Sequence, residues 1–142
     1  MERTRRGPER ALIYLDTSVV LAQLLAEDCV PLAQLWSESL VSSRLLEYEL
    51  SVRFNARRLA QSHAVALRQL LARVALLEMV PVVLARAKEP FPIPVRTLDA
   101  LHLASIEFLR EQGQAICLAS FDARLKRAAT AIGVTLYPMA GT

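Results

Sequence analysis

The sequence is short of several things, and each shortage closes off a class of protein. Only two of its 142 residues are cysteine, Cys29 and Cys117. They stand far apart in the chain, form no ligand cluster, and have nothing around them that signals an oxidising compartment. Two small buried hydrophobes are the expected use. No apolar run is long and uninterrupted enough to cross a bilayer, which takes about 20 residues. The opening MERTRRGPER is basic, but the apolar core and small-residue cleavage site of a secretion signal do not follow it. Internal repeats and low-complexity stretches are absent. The sequence therefore suggests a soluble, cytoplasmic chain with no membrane partner.

Excess charge is scarce too. The formal net charge is +3, and residues 1–10 carry four arginines against Glu2 and Glu9, so +2 of it lies in an expected flexible, basic leader. The remainder is near neutral. Contact with nucleic acid must then come from local basic patches, not from a cationic body. What the chain has in quantity is apolar: 54% hydrophobic against 22% charged residues, a balance that excludes a disordered polymer. A chain of this length suits one domain, expected over residues 11–142, burying roughly two-thirds of its unfolded surface.

Short apolar runs alternate with helical patterns. Strands are expected at 11–15, 39–43, 79–83, 115–119 and 134–137. Pro81 within the third of these points to an edge position. Helices are expected from Thr17 or Ser18 to about 27, at 31–37, 44–60, 62–77, 98–111 and 122–132. Thr17 or Ser18 can cap the first, and Pro31 suits the first turn of the second. EPFPIPVR, with Pro90, Pro92 and Pro94, must be an extended loop before the 98–111 helix. The alternation implies a three-layer α/β/α domain: a mostly parallel sheet of 4–5 strands flanked by helices.

The sequence has only four aspartates, and their placement is informative. Asp16 directly follows the first strand, and Asp122 follows the fourth by two residues. Loops leaving the carboxyl ends of parallel strands line the ligand crevice. Asp99 opens the helix at TLDALHLA, where backbone amides point outward. Projected at the helical period, Leu45, Tyr48, Val52, Ala56 and Leu59 form an apolar stripe. Glu49 lies on its shoulder, whereas Glu47 falls on the wet face beside Ser51 and Arg58. Taken singly, each acid has a plainer use. Asp16 can cap a helix, Glu49 can pair with Arg53 four residues on, Asp99 can serve its own helix terminus, and Asp122 can cap ARLKRAATA. Together they suggest convergence, which is costly for carboxylates unless cations bind. Such oxygen donors suit Mg²⁺ or Mn²⁺.

Four blocks carry a resemblance: IYLDTSVVLAQLL, SSRLLEYELSVRF, RTLDALHLASIEFL and LASFDARLKRAATAIGV. In order and spacing, from about residue 12 to 137, they resemble a PIN domain, and more narrowly the VapC-type toxins of bacterial toxin–antitoxin pairs. The resemblance implies a metal-dependent endoribonuclease whose catalytic and metal-binding acids are Asp16, Glu49, Asp99 and Asp122, with Mg²⁺ or Mn²⁺ as cofactor. Asp16 and Asp99 are the expected direct ligands. Glu49 and Asp122 would ligate directly or through water. The hydroxyls of Thr17 and Ser120 are expected to support them. Ser120-Phe121-Asp122 departs from the Thr-x-Asp common in the family but keeps the hydroxyl.

The same resemblance implies an RNA substrate, a small antitoxin that covers the acidic groove, and a homodimer. Arg96, Arg53 and Arg124 are candidate RNA contacts, with Arg57, Arg58, Lys126 and Arg127 behind them. His102 shares a helix side with Asp99 and is read as packed core, within reach of the site. Trp36 and Phe54 are read as core or partner contacts. A receiver-type phosphoryl-transfer domain would need a second acid beside Asp16 and a late lysine, and has neither. The alternative left open is a catalytically inactive PIN-like module that binds RNA or protein.

Overall fold

The computed structural model describes residues 10–25, 31 and 33–139. Five strands form one sheet: β1 Leu12–Leu15, β2 Leu40–Ser43, β3 Val74–Leu77, β4 Ile116–Ala119 and β5 Thr135–Leu136. Their order is β3-β2-β1-β4-β5, and every neighbouring pair is parallel. The helices are α1 Thr17–Leu25, α2 Arg44–Ala56, α3 Ala64–Leu71, α4 Pro81–Ala87, α5 Thr97–Glu111 and α6 Ala123–Ala131, with a 3₁₀ turn at Ala33–Ser37.

The layers follow from the two-residue period of β1. Ile13 and Leu15 point to one face of the sheet, where they meet Val19 and Val20 of α1, Leu46, Leu50 and Phe54 of α2, and Leu70 of α3. Tyr14 points to the other, into a core of Leu103 and Ile106 from α5 and Leu125, Ala128 and Ala129 from α6. Both faces of β1 are buried, which is why it reads as an unbroken apolar run. This is the three-layer α/β/α arrangement expected from the sequence.

From β1 the chain winds outward through β2 to β3, then returns to the other flank with β4 and β5. Between β1 and β4 the winding therefore reverses. Adjacent connections leave the sheet in opposite directions there and open a crevice at the carboxyl ends of the two strands.

The expected elements at 62–77 and 79–83 need correction. Helix α3 ends at Leu71, and the third strand is VALL at 74–77, paired with β2 through Leu40↔Val74 to Ser43↔Leu77. The segment taken for that strand is helix α4. Pro81 stands at its first turn behind an extended Val80. There proline's missing N–H costs nothing and its fixed φ favours the helix. A short apolar run does not distinguish a strand from a buried helix.

The expected helix at 44–60 also stops early. After Ala56 the chain turns through Arg58 at φ 57°, and the Leu59 N–H reaches back to the Phe54 carbonyl at 2.8 Å. This left-handed ending satisfies the helix's last carbonyls, though glycine usually occupies such a position. The 31–37 segment is a short 3₁₀ turn instead of an α-helix. Cys117 is half-buried on β4 with a free thiol. Cys29 and most of the basic leader lie outside the described residues. Among the described residues no helix is long and apolar enough to cross a membrane.

Candidate active site

The parallel register of β1 and β4 aligns Leu15 with Ala119. The next residues on the two strands are Asp16 and Ser120, and the Ser120 hydroxyl donates to Asp16 Oδ2 at 2.8 Å. Ser18, the second residue of α1, donates to the same oxygen at 2.6 Å and accepts the Phe121 N–H at 2.9 Å. Ser120 in turn accepts the Asp122 N–H at 2.9 Å. Asp16 is thus clamped by hydroxyls from both sides of the crevice, and only 7% of its surface is exposed.

Glu49 reaches the crevice from α2, whose direction Ser43 sets by accepting the Leu45 N–H. The expected apolar stripe on this helix is incorrect. Leu45, Leu46, Leu50 and Phe54 are buried, whereas Tyr48 and Val52 are 63% and 46% exposed. Glu49 lies at the edge of the observed stripe, so it still turns inward. Its Oε1 accepts from the Thr17 hydroxyl at 2.9 Å and lies 2.7 Å from His102 Nε2. No Glu49–Arg53 ion pair forms among the described residues. Neither Thr17 nor Ser18 spends its hydroxyl on capping α1, as each serves a carboxylate.

Asp99 lies in the first turn of α5, 9% exposed, and its Oδ2 is buried with no hydrogen-bond partner among the described residues. Burial holds its pKa above the usual carboxylate range, and the charges of Asp122 and Asp16 push the same way. A backbone hydrogen bond at Arg96 and the nearby His102 oppose the rise. Asp122 caps α6, accepting from the Arg124 and Leu125 N–H groups at 2.9 and 3.2 Å through Oδ1. The plain role foreseen for it is therefore real, and it also borders the same space as the other acids.

That space is a cavity of about 470 Å³ lined by Asp16, Glu49, Asp99 and Asp122, together with Thr17, Ser18 and His102. Arg53, Arg57 and Arg96 line it too. Arg124 lies in an adjoining cavity with Arg127 and Arg96. A larger apolar cavity under the proline-rich segment shares Arg96 and Thr97 with the acidic one.

A family model described as PIN domain matches residues 13–131. The chain belongs to the PIN-domain family. No curated protein and no solved structure matches it. PIN domains are nuclease-type domains, generally metal-dependent ribonucleases that act on nucleic acid.

The PIN cavity offers hard oxygen donors, a buried carboxylate oxygen of Asp99 without a partner among the described residues, and neighbouring acids whose charges help raise the Asp99 pKa. That chemistry fits a divalent cation such as Mg²⁺ or Mn²⁺. Among the described residues no three His, Cys, Asp or Glu side chains are drawn together tightly enough to ligate one ion. The carboxylates repel one another, and three of the four turn to donors of their own.

Two residues of this PIN site were not singled out by sequence reasoning. Ser18 was read as a helix cap, and Tyr14 as part of a strand. Tyr14 is fully buried, and its hydroxyl lies 2.7 Å from His102 Nδ1. Period-2 alternation places Tyr14 opposite Ile13 and Leu15, a signal available in the sequence, though the partner on α5 is not. Phe54 is core, and Trp36 is half-buried against it.

Proposed function

We propose that the chain is a metal-dependent endoribonuclease that hydrolyses RNA phosphodiester bonds with Mg²⁺ or Mn²⁺, and that it is the toxin of a VapC-type toxin–antitoxin pair. The observation that carries this reading is the Oδ2 of Asp99, without a hydrogen-bond partner among the described residues and buried in a cavity that three further acids line. A buried carboxylate oxygen without a donor is costly, and a cation beside it would offset that cost.

Asp16 and Asp99 would hold the ion directly, with Glu49 and Asp122 ligating directly or through water. A bound divalent ion lowers the pKa of water and offsets charge on the phosphate oxygens. Glu49, with Oε1 held by two donors, orients the attacking water. The water gives up a proton as its oxygen forms a bond to phosphorus, the P–O3′ bond breaks, and the departing O3′ takes up a proton from solvent. The products carry a 5′-phosphate and a 3′-hydroxyl. Arg96 and Arg53 at the cavity and Arg124 beside it contact flanking phosphates.

A small antitoxin that covers this groove and a second copy of the chain are the proposed partners, in the cytoplasm. Exposed Tyr48 and Val52 on α2 and Val65 on α3 provide apolar surface for them.

The test is cleavage of a mixed single-stranded RNA substrate with Mn²⁺ by wild type, Asp16→Ala and Asp99→Ala. Loss of about 100-fold or more in both variants is expected. Wild type that binds RNA but cleaves no faster than the variants would instead identify a catalytically inactive module. Co-expression with the product of an adjacent short reading frame tests the toxin role. Growth arrest by the chain alone, relieved by that product, is the expected result.

A further inference from the structure

We propose that Tyr14 and His102 form a buried positioning pair that fixes the direction of Glu49. The proposal deepens the nuclease reading and rests on it for its catalytic meaning. Tyr14 sits in β1 and is 0% exposed, and His102 sits in α5 and is 2% exposed. Their contact is 2.7 Å from the Tyr14 hydroxyl to Nδ1, and a second contact of 2.7 Å links Nε2 to Glu49 Oε1. The Thr17 hydroxyl reaches the same Oε1 at 2.9 Å. Thr17 of α1 and His102 of α5 thus meet on one carboxylate oxygen of α2, and Tyr14 of β1 stands behind the histidine.

The two nitrogens of a neutral imidazole have opposite roles, and the partner of one decides the role of the other. A carboxylate can only accept and a tyrosine hydroxyl can donate, so the arrangement of the neutral ring that satisfies both contacts has Tyr14 donating to Nδ1. The ring proton then lies on Nε2, aimed at Glu49. The opposite tautomer would set a lone pair against the carboxylate. The two rings meet edge to face, with centroids 5.6 Å apart and planes at 82°, which resists rotation of the imidazole.

Glu49 has three rotatable bonds and, left free, would lose that freedom on binding a ligand. Two donors on Oε1 order it in advance, and Oε2 takes neither of them. The supporting shell moves the ordering cost from ligand binding into folding. Tyr14 and His102 act through Glu49, so they are positioning residues.

The test uses the full chain and four variants: Tyr14→Phe, His102→Ala, His102→Gln and the double Tyr14→Phe/His102→Ala. Ring-nitrogen NMR of wild type should place the proton of His102 on Nε2, and Tyr14→Phe should mix the tautomers. Calorimetric titration with Mn²⁺ should show binding weakened about tenfold in Tyr14→Phe and more in His102→Ala. His102→Gln keeps a donor toward Glu49 and should recover part of the loss. The double variant should bind no more weakly than His102→Ala. Cleavage should lose kcat at constant KM for RNA. A wild-type proton on Nδ1, or Tyr14→Phe binding Mn²⁺ as wild type does, overturns the proposal. If wild type neither binds Mn²⁺ nor cleaves RNA, the nuclease reading fails, and the ring-nitrogen spectra still decide whether Tyr14 sets the tautomer.

Discussion

Asp16 and Ser120 lie 104 positions apart, yet the serine hydroxyl donates to the Asp16 carboxylate at 2.8 Å. The contact exists because β1 and β4 are parallel neighbours in a register that ends both strands at the same level. Ser120 also accepts the Asp122 N–H, so one hydroxyl ties together two acids of the cavity.

Removing that hydroxyl should be felt twice. Ser120→Ala leaves a buried carboxylate one donor short and a backbone N–H without its acceptor. Loss of about 1–3 kcal/mol in chemical denaturation is expected. Cleavage with Mn²⁺ should fall about tenfold. Ser120→Thr keeps the hydroxyl and should retain most of both. If Ser120→Ala matches wild type in both assays, the hydroxyl does not organise the acids.

Asp99→Asn should stabilise the protein at neutral pH. The folded-state pKa of Asp99 is raised by burial and by neighbouring acids. The folded chain therefore binds this proton more tightly than the unfolded chain does. The group's contribution is most favourable below its unfolded value and declines as pH rises through the window up to its folded value. Above that window the charge is a standing penalty, which asparagine lacks. A melting temperature higher by roughly 3 °C at pH 7.5, the scale of ~1 kcal/mol, is expected. The difference should vanish near pH 4. Excess Mn²⁺ should erode it at pH 7.5 by stabilising wild type alone. A variant less stable than wild type at pH 7.5 without metal would contradict the assignment of strain to Asp99.

The observed face of α2 makes a contrast between neighbours. Leu50 is fully buried and Tyr48 is 63% exposed. Leu50→Ala should cost about 2–5 kcal/mol. Tyr48→Lys should stay within roughly 0.5 kcal/mol of wild type. Equal losses at the two positions in urea unfolding would put the helix in a different rotation.

Arg58 holds φ 57° where α2 ends. A side chain is disfavoured there, and glycine is not. Arg58→Gly should raise stability by about 0.5 kcal/mol, the part of the strain that survives glycine's greater unfolded-state freedom. Arg58→Val should lower it, because a β-branched residue fits this region worst. The comparison of these two variants by thermal unfolding checks the sign.

The order of strands and helices was legible wherever a run had one clear period. Residues 12–15 and 116–119 each run into a polar residue, Asp16 or Ser120, and are buried on both faces, so they read plainly as strands. Residues 74–87 did not. VALL and PVVLARA have similar composition, and what separates them is that one finds a partner strand in β2 while the other begins at a proline. Arg58 gave no warning of a helix end, since the stop is made by backbone geometry and not by a glycine.

Sequence by itself determined how many acids there are and which elements carry them. It placed Asp16 and Asp122 after strands and Asp99 at a helix start, because strand ends and helix starts leave local marks in composition. It also assigned Glu49 to the inner side of its helix, though from a misplaced stripe. Which atoms meet was decided by the tertiary structure alone. Strand register sets Asp16 against Ser120, and helix packing sets His102 between Tyr14 and Glu49. Contacts of that kind depend on rotations and offsets between elements distant in the chain, and no local pattern encodes those offsets.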